Sequence, residues 1–477
     1  MLDISDFKSA ERVFYYFEEI SKIPHGSGNT EKIADYIEKI AISLGLDCTR
    51  DETNSLIIRK AATEGLLDRP TLILQGHTDM VLAKEREVKK DLAKEGLDLY
   101  RDGDFIRARG TTLGADDGIA VAYMLAILES KSIPHPPLEA VFTSDEETGL
   151  FGAWALKKGM LSGKRMINLD MDVEGSFTAG CAGGIAVKLS TRPKTEHTPS
   201  EAIEITVSGL RGGHSGAEIG DGRENAIKIL AELLKSLKKC LPVRLYSLNG
   251  GNAENAIPKD ATAVISAPTT SCAMLDECIK AILEKYKCRE GDIEITKKSI
   301  GALDCFFTDE DTDRIISLLD SIPSGVVKMS EDIDGLVETS LNLGTLSYEN
   351  GEIAAAILLR SSKDGEKYAL AEKIEEIIAA HGASSVRDGD YPGWEYKKCS
   401  PLREMIQKLY RELYAKEAEI TVIHAGLECG IFSALIDGLD CVSMGPNIFD
   451  IHTVSERLSI SSSARVWDYL CALLSKL

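Results

Sequence analysis

The sequence predicts an α/β fold, in which a mixed β-sheet is covered by helices and a second α/β domain is inserted into the chain. Two observations support this. In the first third, short apolar runs of strand length alternate with segments of helical periodicity, which is typical of βαβ units. The chain has 477 residues, too many for one compact core, so we expect two domains.

The elements of the first third follow in order. Phe14–Ile23 and Glu31–Leu44 carry apolar residues at helical spacing and predict helices. Three apolar runs predict buried strands, and the segment between the first two predicts a helix: TLILQ (71–75), LEAVFT (138–143), MINL (166–169) and the helix Asp117–Ser130. This alternation predicts a mixed or largely parallel sheet.

The middle of the chain predicts a second α/β unit. Strand patterns such as Ala202–Val207 alternate there with helical patterns such as Asn225–Lys238. A candidate metal ligand, His452, lies beyond this unit, so we interpret the unit as an insertion. The predicted boundaries are 1–182 for the first part of the outer domain, 183–390 for the inserted domain, and 391–477 for the second part of the outer domain.

Composition excludes several classes of function. The net charge of -21 and the absence of basic stripes argue against nucleic-acid binding. The beginning, MLDISDFKSAERVFYYFEEI, has no signal-peptide pattern, and the longest apolar run, around 118–128, is too short to span a bilayer. The 11 cysteines are odd in number and form no CxxC pair, which favours reduced thiols. We therefore predict a cytoplasmic protein without a membrane partner.

Polar clusters follow directly after the three predicted strands, and one more opens the helix. They are His77-Thr78-Asp79, Asp145-Glu146-Glu147, Asp170-Met171-Asp172 and Asp116-Asp117. Taken singly, each has an ordinary alternative: a surface turn, a solvated acidic loop or, for the aspartate pair, a helix cap. Ligands bind beyond the carboxyl ends of strands in open α/β sheets, so together these clusters predict one crevice. Its mixed nitrogen and oxygen donors suit zinc, manganese or cobalt, and two such ions can share and acidify a water.

The order of these motifs identifies a resemblance. The segments are Gly76-His77-Thr78-Asp79-Met80-Val81, Gly114-Ala115-Asp116-Asp117-Gly118, Glu146-Glu147-Thr148-Gly149, Asp170 and Ile451-His452-Thr453. They resemble the M20 metallopeptidases and, more narrowly, the aminoacyl-histidine (Xaa-His) dipeptidase branch, which includes carnosine-cleaving enzymes. The resemblance runs nearly end to end and includes the segments 23–29 and 424–430. It implies a zinc-exopeptidase-like fold in which residues 1–182 and 391–477 form the catalytic domain and residues 183–390 form the lid and dimerisation domain.

The resemblance implies a metal-binding role for five residues. Asp116 bridges two ions. His77 and Asp170 complete one site, and Glu147 and His452 complete the other. A cis peptide bond between Asp116 and Asp117 is also implied.

Two further residues are implied to act without binding metal. Asp79 orients His77. Glu146 is the general base, which takes a proton from the water shared by the ions and passes it to the leaving amine. Both are expected as the catalytic residues of the site.

The inserted domain is implied to supply three substrate-binding residues. His214, within Arg211-Gly212-Gly213-His214-Ser215-Gly216, reaches the partner subunit's active site and stabilises an oxyanion. Taken alone, it is a histidine in a glycine-rich turn. Asn255 and Arg360 bind substrate, and Arg360 suits a C-terminal carboxylate, although a surface arginine is its ordinary alternative. The resemblance thus implies a homodimer formed through the lid domain.

The sequence therefore predicts a metallo-dipeptidase with two divalent ions, zinc first and manganese or cobalt as alternatives, that cleaves Xaa-His and carnosine-like dipeptides. Two other interpretations stay open: an N-acyl amino acid deacylase or aminopeptidase on the same scaffold, and a catalytically silent metal-binding scaffold. The presence of Asp79 and Glu146 counts against the second. No role is assigned to His424 or Glu428. Four other histidines are predicted to be solvated: His25, His135, His197 and His381.

Overall fold

The protein, described by a computed structural model over residues 4, 6–266 and 272–477, forms two compact units. The first unit contains the described chain up to Gly180 together with Tyr396–Val422 and Leu427–Leu477. The second unit contains Cys181–Glu395 and the short segment Ile423–Gly426.

The segment Ile423–Gly426 belongs to the second unit although the predicted boundaries assign it to the catalytic domain. Backbone hydrogen bonds explain its position, because Ala182 donates to the carbonyls of Ile423 and Ala425 at 3.1 Å each. The return of the chain therefore contributes a few residues to the inserted unit before it re-enters the first one.

The secondary structure follows in chain order. Up to Gly180 the elements are a 3₁₀ turn Lys8–Ala10, α1 Glu11–Ser21, α2 Glu31–Ser43, β1 Asp47–Arg50, β2 Leu56–Lys60, β3 Leu72–His77, β4 Leu99–Asp102, β5 Phe105–Ala108, α3 Ala115–Glu129, β6 Leu138–Thr143, α4 Phe151–Ala155, β7 Arg165–Asn168 and β8 Ser176–Cys181. The middle contains β9 Gly183–Thr191, β10 Thr195–Ser208, β11 Gly213–His214, a 3₁₀ turn Ile219–Asp221, α5 Ala226–Cys240, β12 Leu245–Gly250, β13 Ala256–Ile257, β14 Ala261–Ser266, α6 Cys272–Tyr286, β15 Glu294–Phe307, α7 Asp309–Ser321, β16 Gly325–Met329, β17 Val337–Glu349, β18 Glu352–Ser361, α8 Asp364–Ala380 and β19 Ser384–Tyr391. The last part contains α9 Pro401–Tyr414, β20 Glu419–Ile423, α10 Glu428–Leu435, β21 Asp440–Ser443, β22 Ile448–Phe449, β23 Arg457–Ser459 and α11 Ile460–Leu474.

The first unit is built on an eight-stranded mixed sheet with the order β1-β2-β6-β3-β7-β21-β8-β20. Its four central strands, β6, β3, β7 and β21, run parallel to one another. β3 and β6 are buried along their whole length, as expected of parallel strands covered on both faces. The predicted mixed α/β fold is therefore confirmed, with the three predicted strands and the helix between them present.

A smaller four-stranded sheet, β22-β23-β5-β4, also belongs to the first unit. β22 and β23 form an antiparallel pair, and the loop between them contains His452. The ligand predicted beyond the insertion is therefore held on a hairpin.

The second unit contains a nine-stranded sheet with the order β15-β10-β14-β12-β17-β18-β9-β19, and β16 pairs with β17 beside it. The described helices α5, α7 and α8 supply apolar side chains to its core. α5, for example, packs an apolar face into this core. The helix begins at a cap residue, Asn225, whose side chain accepts hydrogen bonds from the amides of Ile227 and Lys228. A separate pair of short strands, β11 and β13, contains His214.

Burial corrects part of the prediction for the minor histidines. His25 and His135 are buried, and in each the ring Nδ1 lies within hydrogen-bond distance of a backbone carbonyl. The prediction of solvated side chains was wrong for these two, because tertiary packing closes over their polar loops. No helix among the described residues combines the length and the apolar character needed to cross a membrane.

Candidate active site

Three parallel strands place the predicted ligands at one edge of the sheet. His77 is the last residue of β3 and lies opposite Thr143, the last residue of β6. Gln75 in β3 lies opposite Asn168, the last residue of β7. Because parallel strands end at the same edge, the polar clusters that follow β6 and β7 emerge beside His77.

The helix α3 brings Asp116 to the same edge. Its close approach to β3 requires Gly76, where an added Cβ would lie 2.4 Å from Asp117 Oδ2 and 2.6 Å from Ala120 Cβ. The Asp117 carboxylate accepts a hydrogen bond from the His77 amide at 3.2 Å, which ties the start of α3 to the end of β3. The Asp116–Asp117 peptide bond is cis, as the resemblance implies.

Asp116 connects two groups of possible metal ligands. One oxygen, Oδ1, lies 3.0 Å from His77 Nε2, and the other, Oδ2, lies 3.2 Å from His452 Nε2. Asp170 Oδ1 lies 3.9 Å from His77 Nε2, and Glu147 Oε1 lies 2.7 Å from His452 Nε2. The ligand atoms of each trio, His77 with Asp116 and Asp170 and Asp116 with Glu147 and His452, lie within 4.8 Å of one another.

Asp79 connects His77 to the loop that contains Glu146. His77 Nδ1 lies 3.0 Å from the Asp79 carbonyl and 3.4 Å from its carboxylate, which leaves Nε2 facing Asp116. The Asp79 carboxylate also accepts hydrogen bonds from the Glu146 amide at 3.0 Å and from the Ser27 hydroxyl at 2.8 Å. A carboxylate behind a ligating histidine fixes the ring orientation, and Asp79 has that position.

Mutual electrostatics perturb the site strongly. Burial alone raises the pKa of Asp116, but hydrogen bonds to His452 and His77 outweigh burial and lower it. Burial and the nearby Asp116 carboxylate raise the pKa of Asp170 well above its ordinary value. Burial also raises the pKa of Glu146 to about 8, and the neighbouring carboxylates of the site contribute to that shift.

The donor set fits two divalent cations. Asp116, Glu147 and Asp170 are mostly buried side chains, and among the described residues none forms an ion pair with lysine or arginine. Two divalent ions would balance the three carboxylates and accept the two imidazole nitrogens. Glu146 also lies beside these groups, because one of its carboxylate oxygens falls within 4.8 Å of ligand atoms of His77 and Glu147.

Glu456 is a site residue that the sequence did not reveal. Its buried carboxylate accepts hydrogen bonds from the backbone amides of four consecutive residues, at 2.8, 3.0, 2.8 and 3.4 Å from Leu113, Gly114, Ala115 and Asp116. It thereby holds the loop that presents the bridging carboxylate. The only local signal is an acidic residue four positions after His452, which is common on any surface loop.

Residues with left-handed backbone conformation flank the site. The φ angles of Asp145, Leu150 and His452 are +52°, +60° and +64°. Such conformations are uncommon outside glycine and concentrate where a loop must aim a side chain. These loops therefore place Glu146, Glu147 and the His452 ring in directions that ordinary strand ends would not give.

The second unit places His214 on the short strand β11. Its Nδ1 accepts hydrogen bonds from the amides of Gly216 and Ala217 at 3.3 and 3.1 Å. Burial and the nearby Arg360 guanidinium lower its pKa, which favours the neutral ring. In a neutral imidazole one nitrogen accepts and the other carries the proton, so His214 Nε2 is a donor.

Arg360 lies in β18 of the same unit and is buried. Its Nη1 donates to the Tyr391 hydroxyl at 2.9 Å, and its Nε has no hydrogen-bond partner. Among the described residues no carboxylate forms an ion pair with it. The surface-arginine alternative is therefore wrong, because the guanidinium is buried without a countercharge in the described chain.

His424 lies close to this arginine, and sequence reasoning gave it no role. Its Nε2 lies 2.7 Å from the Ser340 hydroxyl, and Ser340 is paired with Arg360 across β17 and β18. Burial and the Arg360 charge lower the pKa of His424 to about 4. We name Arg360, Tyr391, His424 and His214 the cationic cluster of the second unit. Asn255 differs, since it is exposed, and its backbone carbonyl accepts a hydrogen bond from the Ser215 amide at 2.8 Å.

Known proteins resemble the chain over nearly its whole length. Residues 73–476 match the family model described as peptidase family M20/M25/M40. The chain is 35% identical over 475 residues to the cytosol non-specific dipeptidase of Escherichia coli, with 98% of each chain covered. The crystal structure of aminoacylhistidine dipeptidase from Vibrio alginolyticus matches at a TM-score of 0.92 with 34% identity over 99% of each chain. That of aminopeptidase PepT from Bacillus cereus shares the fold, with a TM-score of 0.55 and 17% identity over 98% of each chain.

Proposed function

The chain belongs to the peptidase family M20/M25/M40, a family of peptide-bond hydrolases, and on that premise we propose that it is a two-metal dipeptidase. The two named relatives that share 35% and 34% of their residues with this chain are dipeptidases. Their substrates, short peptides of two residues, are accordingly the first substrates to consider for this chain.

The observation that carries the proposal is the position of Asp116. Its two oxygens face two different imidazole nitrogens, 3.0 Å from His77 and 3.2 Å from His452. A carboxylate shared between two ligand groups is the arrangement that holds two ions as a pair. His77 and Asp170 would hold one ion, and Glu147 and His452 the other.

Glu146 has the properties of a general base. When bound, the ions would polarise the scissile carbonyl and make a nearby water more acidic. Burial raises the pKa of Glu146 to about 8, and the positive charge of two bound ions would lower it again towards neutrality. The carboxylate could then accept a proton from water and return it to the leaving amine near neutral pH. Asp79 acts by orientation, because its carboxylate contacts both His77 and the Glu146 amide.

The cationic cluster of the second unit supplies the chemistry for the other end of a dipeptide. Arg360 carries a buried positive charge with an unpartnered Nε, which suits a C-terminal carboxylate. His214 offers an Nε2 donor, which suits an oxyanion in the tetrahedral transition state. Asn255, with an exposed side chain, is the third proposed substrate-binding residue.

A homodimer formed through the second unit completes the proposal, with His214 acting in the partner's site. β16 exposes Val326, Val327 and Met329 to 41%, 50% and 45%, and β17 is its only partner among the described strands. A short strand with exposed apolar residues is suited to association.

Mixing two inactive variants tests the dimer. His214→Ala and Glu146→Ala, unfolded and refolded together in equal amounts, should regain about a quarter of wild-type activity, since half the dimers would hold one complete site. Refolding each variant alone is the control. Activity in the mixture no higher than in the controls would place His214 in its own subunit's site.

The metal and the substrate preference define the main experiment. Chelated protein would be reloaded with zinc, manganese or cobalt and assayed with Gly-His, β-Ala-His and other dipeptides, tripeptides and N-acetylated amino acids. We expect zinc to restore dipeptide hydrolysis, Xaa-His substrates to rank first and tripeptides to be poor. Turnover of N-acetylated amino acids alone would indicate a deacylase, and two bound ions without any turnover would indicate a silent scaffold.

We also propose a cytoplasmic location, since one of the similar dipeptidases is a cytosol enzyme.

A further inference from the structure

A layer of buried polar side chains lies directly beneath the metal ligands. Its members, which we name the polar platform, are all 0% exposed: Gln75, Thr143, Asn168, Glu428 and Ser443. Such groups are rare in the interior of a parallel sheet, where apolar side chains would pack without any need for partners. A function other than core packing is therefore needed to explain them.

The platform is one connected network. Gln75 Nε2 donates to Glu428 Oε2 at 2.6 Å, and the Thr143 hydroxyl donates to the same oxygen at 2.7 Å. The side-chain oxygen of Gln75, Oε1, accepts a hydrogen bond from Asn168 Nδ2 at 2.6 Å, and Asn168 Oδ1 accepts one from the Ser443 hydroxyl. Four neighbouring strands and the first residue of α10 are therefore joined by side chains as well as by the sheet.

Each platform residue on β3, β6 and β7 lies just before a site residue. Gln75 is two residues before His77, Asn168 is two residues before Asp170, and Thr143 is three residues before Glu146. Asn168 Oδ1 also lies 3.4 Å from the Asp170 amide. A shift of one platform residue would therefore move the ligand that follows it.

Glu428 is the only acidic or basic member and the one on which two strands depend. It begins α10, where the helix N-terminus favours a negative charge. Its Oε2 receives both strand donors, whereas its Oε1 is buried and has no hydrogen-bond partner among the residues that the structure describes. A buried carboxyl group with one oxygen unused is costly, which argues that the other oxygen serves the site rather than stability.

We infer that Glu428 is a positioning residue for the two-metal site, acting through Gln75 and Thr143 to hold the ends of β3 and β6 in register. The inference rests on the proposed function for its activity readout, but metal binding tests it independently. Groups that orient metal ligands typically contribute about 10- to 100-fold in metal affinity or activity.

The test compares variants at Glu428 with a matched buried carboxylate at the other end of β6. Glu428→Leu removes the shared acceptor, so metal affinity measured by chelator competition and kcat should each fall about 10- to 100-fold, with KM for a dipeptide within about threefold. Glu428→Gln keeps an acceptor oxygen toward both donors and should restore both values to within about threefold of wild type. Thr143→Val, which is close in shape and removes one donor, should fall between them.

Glu139 provides the control. It is 3% exposed, and its carboxylate accepts from the Ser162 and Gly163 amides at the opposite end of β6, about 13 Å along the strand from Thr143. Glu139→Leu should lower the melting temperature while metal affinity and kcat stay near wild type.

Each outcome decides between the alternatives. If Glu428→Leu does not fold, Thr143→Val still tests the inference. Metal affinity unchanged in the folded variants would overturn it, and so would an equal loss in Glu428→Gln and Glu428→Leu, since charge and not hydrogen bonding would then be responsible. Weakened metal binding in a protein whose wild type hydrolyses no dipeptide would refute the proposed function and leave the positioning role standing.

Discussion

The two units of the chain bury charge of opposite sign. In the first unit, Asp116, Glu147 and Asp170 lie together with two imidazoles, and no described lysine or arginine pairs with them. In the second unit, the Arg360 guanidinium is buried beside the neutral rings of His424 and His214. Isolated buried charges are expensive, so each unit retains an unbalanced set that a ligand of opposite charge would relieve.

The opposite sign of the buried charge indicates what each unit is suited to bind. The carboxylate set of the first unit fits cations, and the cationic cluster of the second unit fits an anion. The C-terminal carboxylate of a dipeptide is the anion that the proposed function assigns to the cluster of the second unit. The following predictions separate the contributions of the two units, beginning with the largest expected effect.

Replacing the proposed base should abolish turnover without removing metal. We expect Glu146→Gln to lower kcat by about 10³- to 10⁴-fold, because proton transfer loses its acceptor, while metal content measured by atomic emission stays at two ions. The adjacent Glu147→Gln is the control and should lose metal as well as activity. A Glu146→Gln variant that keeps kcat within tenfold of wild type would show that the base assignment is wrong.

Removing the buried guanidinium should act mainly on substrate binding. Arg360→Met should weaken kcat/KM for dipeptides by about 3 kcal/mol, on the order of 100-fold, since a charged hydrogen-bonded partner of the substrate is lost. Metal affinity should not change. Arg192→Met, at an arginine whose side chain is 72% exposed in the same unit, is the control and should resemble wild type. Equal loss in both variants would refute a specific role for Arg360.

Chelation should destabilise the first unit and spare the second. Ions at a hundred times their dissociation constant stabilise the state that binds them by about 2.7 kcal/mol. We therefore expect calorimetry to show a metal-dependent unfolding transition of the first unit. Hydrogen exchange should show that the ions increase amide protection mainly in the residues that directly follow β3, β6 and β7. Equal protection of α5 and β18 would contradict the separation of the two units.

The smallest effect concerns pH. The pKa of His424 is lowered to about 4 in the folded chain from an ordinary value of 6.5. As pH falls, the unfolded chain binds this proton first, so the stability that His424 contributes is present above pH 6.5 and declines towards pH 4.

Urea unfolding of wild type and His424→Gln measures this contribution. The wild type should lose about 2 kcal/mol more than the variant between pH 8 and pH 5, from the two pKa values and the linkage relation. Arg360 and His214 face the ring and should be unaffected by the substitution. Parallel pH profiles for the two proteins would show that His424 is not buried as a neutral ring.

The catalytic edge could be predicted from sequence because its signals are local. Apolar runs followed closely by His77, Glu146 and Asp170 predict parallel strands and a common edge, and the structure has both. The role of His452 came only from the resemblance, because nothing near it in sequence distinguishes a ligand from a surface histidine. Its loop conformation, with φ of +64°, is a tertiary property.

Residues that act across long sequence separations could not be predicted. Glu428 contacts Gln75 across 353 residues and Glu456 contacts Leu113 across 343 residues, so no window of sequence contains both partners. His25 and His135 were assigned to solvent for the same reason, since their burial depends on distant elements.

The hydrogen bonds between the Glu456 carboxylate and the backbone of residues 113–116 join two segments that are synthesised far apart in time. The loop from Leu113 to Asp116 is synthesised before the inserted unit, whereas His452 and Glu456 are synthesised after it. The ribosome must therefore finish the second unit before the first unit can gain His452, its last proposed metal ligand, and Glu456, which holds the 113–116 loop. The nascent chain should thus remain without a complete peptidase site until His452 and Glu456, which follow the second unit in the sequence, have been synthesised.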